Sequence, residues 1–153
     1  MKGDLAGGCL CGDVSYVLRE GFRLNPYACH CTDCQTRTGS AFSEHMLFAL
    51  GDIAITGDLD VGEYDQPSGA HSRIFGCARC KARIYAVNDS RDGLASLRCG
   101  TLDNSAGIAP AAHLWVKSKQ SWVGLPVDAK KHDEQPRSNA EWIAFVGIGC
   151  PAR

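Results

Sequence analysis

The chain lacks any long apolar run, any block of like charge and any sustained helical periodicity. Each absence excludes a class of protein. No stretch approaches the roughly 18 apolar residues of a membrane span, and the first residues, Met1 to Gly8, carry no apolar core of a secretory signal. Sixteen basic against seventeen acidic residues leave a net charge of -1, and no basic run exceeds Lys130-Lys131. A phosphate backbone needs a positive face, so nucleic acid is not an expected partner. There is no low-complexity tract and no repeat beyond the cysteine turns. The 153 residues are expected to form one domain, 1-153, in a cytoplasmic, reducing setting, with no membrane partner.

What is present in the first half is a series of short strands punctuated by turns. Val14, Tyr16 and Leu18 alternate with polar neighbours, residues 41–50 read as a half-buried strand, and Ile53 and Ile55 form another alternation. Further strands are expected over 72–75, 82–87, 94–99 and 112–116. Each is short, rich in β-branched or aromatic residues and flanked by turn formers. Helix is expected only around Thr32 to Thr38 and Asn139 to Phe145. The stretch after Gly124 is polar and holds Pro126 and Pro136, so 124–153 reads as an irregular C-terminal segment.

Nine cysteines in such a chain are many, and seven of them fall in three clusters: Cys9-Leu10-Cys11, Cys29-His30-Cys31-Thr32-Asp33-Cys34 and Cys77-Ala78-Arg79-Cys80. In a reducing compartment this density argues for metal over disulfides, and Cys-x-Cys is poor geometry for an internal disulfide. Two pairs supply four thiolates, the set of a closed tetrahedral zinc site, with a rubredoxin-like iron site as the alternative. A metal joining Cys9, Cys11, Cys77 and Cys80 would tie the N-terminal turn to the middle of the chain and contribute folding free energy directly.

The third cluster supplies three thiolates and no fourth. Cys99 reads as a small core residue and Cys150 is left unassigned, so the reading is a metal with an open position. The alternative is a closed site whose fourth ligand is not evident in the sequence. Three thiolates bring a zinc site to a net charge of about -1 in formal terms, which suits it to a soft sulfur ligand better than to water activation. His30 is expected to turn its ring elsewhere, because adjacent residues rarely aim at one ion.

These residues resemble the glutathione-dependent formaldehyde-activating enzyme family, whose relatives include centromere protein V. The resemblance runs from about residue 7 to 122. It is carried by Gly8-Cys9-Leu10-Cys11-Gly12, Cys29-His30-Cys31-Thr32-Asp33-Cys34-Gln35-Thr36-Arg37-Thr38-Gly39-Ser40-Ala41-Phe42, Phe75 to Cys80, Gly100-Thr101-Leu102-Asp103, and Pro110 through His113-Leu114-Trp115. It implies a mainly β, Mss4-like β-tent of short antiparallel strands stapled by zinc. It implies a structural zinc on Cys9, Cys11, Cys77 and Cys80 and a catalytic zinc on Cys29, Cys31 and Cys34. The activity it implies is carbon–sulfur lyase chemistry of the S-hydroxymethylglutathione type, with glutathione or a similar thiol as co-substrate.

Around the second cluster, Gln35 and Ser40 are candidate catalytic donors, and Arg37 and Phe42 are candidate contacts to a thiol substrate. Each has a bland counterpart, since Gln35, Arg37 and Ser40 can equally brace or cap the loop. His113 and Asp103 are expected to be structural, and His45, His71 and His132 have no partner visible in sequence. The competing function is a non-catalytic zinc module for protein or nucleic-acid interaction, and the near-neutral charge counts against it. An exchange-factor or chaperone-like surface rests on fold analogy alone.

Overall fold

The computed structural model describes residues 3–66 and 68–149. Eleven strands and two helices follow in the order β1 (Leu5–Gly8), β2 (Ser15–Leu18), β3 (Tyr27–Cys29), α1 (Thr32–Thr38), β4 (Ser43–Ala49), β5 (Ile53–Thr56), β6 (Leu59–Asp65), β7 (His71–Cys77), β8 (Arg83–Asn88), β9 (Leu94–Arg98), β10 (Ala112–Leu114), β11 (Lys130–Lys131) and α2 (Asn139–Val146). The protein is mainly β. A three-stranded antiparallel sheet, β1-β2-β5, accompanies an eight-stranded sheet in the order β11-β10-β3-β4-β9-β8-β7-β6. Within the larger sheet β10 runs parallel to both β3 and β11, and the remaining pairs are antiparallel.

The expected alternations form strands where they were read, and both helices form. Helix α1 starts where the Cys31 sulfur accepts the Cys34 amide, and it stops at Gly39, whose φ of 62° is left-handed. Helix α2 starts at Ser138, whose hydroxyl accepts the Glu141 amide, while the Glu141 carboxylate takes the Arg137 amide. The C-terminal segment is therefore less irregular than its composition implies: it adds β11 to the sheet edge and packs Trp142 and Val146 into the interior.

Strand β4 separates two cores. Met46 and Phe48 point into one, with Leu5, Tyr16, Leu18, Ile84 and Leu97; Leu47 points into the other, with Leu24, Tyr27, Leu114 and Trp142. The alternation of a single central strand thus feeds opposite faces, and its middle residues are fully buried. Each core carries one cysteine cluster at its rim: Cys77, Cys9 and Cys80 on the first, Cys29, Cys31 and Cys34 on the second. Gly7 is required where β1 meets the Thr101 turn, since a Cβ there would sit 2.3 Å from the Thr101 carbonyl oxygen.

Candidate metal centres and the cavity beside one of them

The four-cysteine group is assembled by two turns brought together through the sheets. The Cys9 sulfur accepts the Val14 amide at 3.2 Å, and the Cys77 sulfur accepts the Cys80 amide at 3.5 Å. Lys81, directly after Cys80, takes a left-handed φ of 62° that lets its amide return to the Cys77 carbonyl. The Cys9–Cys11 and Cys11–Cys77 sulfurs lie 3.6 and 3.7 Å apart. A disulfide would hold them at about 2.0 Å, whereas four sulfurs about 2.3 Å from a tetrahedral zinc are spaced by roughly 3.8 Å. The donor set and its spacing fit zinc. A backbone hydrogen bond from Ala82 is the leading cause that draws the Cys80 thiol down to about 6, towards the thiolate that a metal needs.

The second group lies where β3 runs into α1. Cys29 ends β3, hemmed between Ser43 of β4 and Leu114 of β10. Cys31 caps α1, and Cys34 lies one turn on. Their sulfurs all lie within 4.8 Å of one another, and among the described residues no fourth cysteine, histidine or carboxylate joins that set. Cys99 is fully buried in the first core, where burial pushes its thiol far up, so it serves as a small core residue. Cys150 lies outside the described residues.

Three thiols this close compete to ionise. Hydrogen bonds from Cys29 and Cys34 hold the Cys31 thiol down at about 3. The same contact with Cys31 drives Cys29 well up, and Cys34, which the Cys29 contact pulls down, is pushed by Cys31 and by burial to about 11. A divalent cation resolves the competition by stabilising all three thiolates at once, so this group also fits zinc.

The loop is braced from behind. The Gln35 side-chain amide donates to the His30 carbonyl at 2.9 Å and the Ser118 carbonyl at 3.0 Å, and its oxygen accepts from Gln120 at 3.2 Å. Both its N–H donors and one acceptor position hold the loop against 118–120. His30 is fully buried with its ring turned to His113, Nε2 to Nδ1 at 3.1 Å, so it does point away from the sulfurs. Burial first, then His113 and Lys119, keep His30 neutral down to about 4.

A cavity of about 440 Å³ opens in front of the three sulfurs. Cys29, Cys31 and Cys34 lie on its wall, with Tyr27, Trp115 and Trp142 as aromatic lining. Arg37 is on the wall too, its guanidinium 3.9 Å over the Tyr64 ring. Ser40 and Phe42 are not among the lining residues: the Ser40 amide closes the end of α1 on Thr38, and Phe42, 38% exposed, packs its ring beside His30.

Sequence reading missed His45, which is 5% exposed. Its Nε2 lies 3.8 Å from the Cys34 sulfur and its Nδ1 3.0 Å from the Ser96 hydroxyl, which also bonds the Tyr27 side chain. Burial foremost, then Arg98, Arg83 and Arg91, holds His45 neutral. Nothing local in Glu44-His45-Met46 signals this role, because the contact with Cys34 depends on β4 pairing with β3 and that with Ser96 on β4 pairing with β9.

A family model described as glutathione-dependent formaldehyde-activating enzyme matches residues 4–118. The curated proteins yield no match. Among solved structures, the chain is similar to a crystal structure of a Rhodobacter sphaeroides protein determined as a structural-genomics target. The two share 18% identity at a TM-score of 0.50, over 69% of this chain and 98% of that one, a likeness of fold alone. With three quarters of its length matched by that model and the cysteine turns inside the matched span, the chain belongs to the glutathione-dependent formaldehyde-activating enzyme family.

Proposed function

We propose that the protein is a carbon–sulfur lyase that joins a small-molecule thiol to a small carbonyl compound, or splits the adduct, at the three-cysteine group. Glutathione with formaldehyde is the pair the family's name suggests. The observation that carries this reading is a three-cysteine set facing a 440 Å³ cavity, with no further ligand among the described residues. Zinc held by Cys29, Cys31 and Cys34 would supply a soft position where a substrate sulfur binds as thiolate.

The chain's own residues do the rest. Tyr27, Trp115 and Trp142 exclude water from the wall, which strengthens every charge interaction inside. Arg37, held over Tyr64, faces the cavity and stabilises oxygen that becomes anionic when sulfur adds to the carbonyl. Gln35 serves by fixing the loop that carries the three sulfurs, and His45 orients Cys34 through its Nε2. Ser40 and Phe42, given to catalysis and to substrate by the sequence pattern, are assigned here to the end of α1 and the back of the loop. The four-cysteine group holds the fold in this reading, so the protein carries two zinc ions, one per group. A cytoplasmic setting follows from the need to keep seven thiols reduced.

The test is substitution of cobalt for zinc followed by addition of small thiols. A thiol that enters the second site changes the sulfur-to-metal charge-transfer and visible bands in proportion to occupancy, and Cys31→Ser abolishes that change. Spectra indifferent to every thiol, in protein holding two metals, would sink the reading in favour of a non-catalytic zinc module.

A further inference from the structure

The cavity in front of the three sulfurs is ringed by guanidinium groups that no carboxylate answers. Arg37, Arg83 and Arg91 line it, and Arg98 lies alongside, opposite His45 in the β4–β9 pairing. Arg37 and Arg91 each cover an aromatic ring, Tyr64 and Trp142. Arg83 and Arg98 each hold a buried Nε with no hydrogen-bond partner, and neither makes an ion pair among the described residues. Lys117, also on the wall, is already taken by Glu134.

A half-buried guanidinium without a partner is costly to keep. Burial, and then the neighbouring Arg98, draws Arg83 down to about 10, and Arg37 adds to the repulsion. The thiolates of Cys34 and Cys29 offset part of this, since both arginines feel Cys34. That offset is limited: three thiolates with a zinc ion carry a net charge of about -1, and Asp33 is the one carboxylate on the wall. Four guanidinium groups therefore leave roughly two positive charges unanswered beside the cavity. A volume of about 440 Å³ also exceeds what a one-carbon carbonyl compound and a sulfur atom need.

We infer that Arg83 and Arg98 form an anion subsite that takes the carboxylate groups of the thiol substrate, with Arg37 and Arg91 narrowing the approach. These arginines would then set the site's preference for thiols that carry carboxylates, glutathione among them, bound by sulfur at the cysteines and by the tail at the arginines. The sulfur end rests on the function proposed above; the carboxylate end does not. Arginine suits this task because its planar fork meets a carboxylate with two parallel hydrogen bonds.

The experiment measures affinities of the protein loaded with two metals for 2-mercaptoethanol, 3-mercaptopropionate and mercaptosuccinate, with succinate and inorganic phosphate as sulfur-free probes. The expected order is a gain of about tenfold for each carboxylate added. Succinate should bind alone, and more tightly than phosphate. Arg83→Gln flattens the thiol series towards the affinity of mercaptoethanol and removes succinate binding. Arg83→Lys restores part of the gain, because charge survives without the fork, and Arg98→Gln gives the same flattening independently. Retention of two zinc ions by each variant shows that the fold is intact.

Equal affinities across the series, or a series unchanged in both glutamine variants, overturn the subsite while leaving thiol binding at the metal untouched. Phosphate binding in preference to succinate overturns the carboxylate assignment. Succinate binding that depends on Arg83, with no spectral response to any thiol, upholds the subsite and overturns the sulfur chemistry instead.

Discussion

The two cysteine groups differ in what surrounds them more than in their sulfurs. The four-cysteine group joins two turns 66 residues apart in sequence, sits against the core that holds Phe48 and Leu97, and spends its donors among Cys9, Cys11, Cys77 and Cys80. The three-cysteine group comes from one loop, needs no long-range closure to gather its sulfurs, and opens on a cavity lined by arginine and aromatic side chains. Metal at the first group would cross-link distant parts of the chain, so its binding energy would be folding energy. Metal at the second would constrain only a loop already braced by Gln35 and Ser118, so its loss would cost the fold far less.

The sharpest way to break this contrast is to remove one sulfur from each group. Cys80→Ser is expected to unfold the domain at ordinary temperature, because structural zinc of this kind contributes on the order of 10 kcal/mol; circular dichroism reads the loss. Cys31→Ser should keep the β spectrum and a cooperative melt, lose one zinc ion of two, and lower thiol-dependent turnover by at least about a hundredfold. Melting of both variants alike would make the second site structural. A chelator titration sharpens the same point: one zinc should leave readily with the fold retained, the other only with unfolding.

A smaller effect is expected at His45. His45→Gln removes the ring from Cys34 and should weaken the second zinc by roughly tenfold, as loss of an outer partner of a metal ligand usually does. The first zinc should be unaffected, and Ser96→Ala should reproduce a milder form of the change. Affinity measured by competition with a coloured chelator checks both.

The smallest effect concerns pH and lies at the other end of the loop. His113 is buried against His30, and burial, then Lys131, lowers its pKa below the ordinary 6.5. The unfolded chain takes up a proton near 6.5 that the folded chain refuses, so this group supports folding above that value and its contribution is lost as the pH falls. A thermal melt at fixed zinc should drop on acidification below about pH 6.5, and His113→Asn should make that drop shallower. An unchanged slope would remove His113 from the account.

Strands and helices were legible where local chemistry set them. Tyr16, Leu18, Ile53 and Ile55 alternate because one face of their sheet is buried, and Thr32 to Thr38 form a helix because Cys31 can cap it and Gly39 can end it. Strands β1, β3, β6 and β11 were not read. Gly7-Gly8 and Asp60, Gly62 and Glu63 look like loop chemistry, and Tyr27–Cys29 is only three residues long. Their partners in the sheets override those local preferences.

At the candidate metal centres, the grouping of seven cysteines was legible because each tight turn gathers the sulfurs of near neighbours in sequence. Gln35 was legible as a polar neighbour of the loop but not as its brace, since its acceptors at Ser118 and its donor at Gln120 arrive from a distant turn.

Taken alone, the order of residues determined the number and grouping of the sulfurs, the mainly β character and the near-neutral charge, all of which depend on spacing and composition. The tertiary structure alone decided that His45 meets Cys34 and that Arg83 shares a cavity with the three cysteines, with Arg98 alongside. Those encounters require β3, β4, β9 and β8 to pair side by side. Pairing of strands far apart in sequence is fixed by burial over the whole sheet, which no local pattern records.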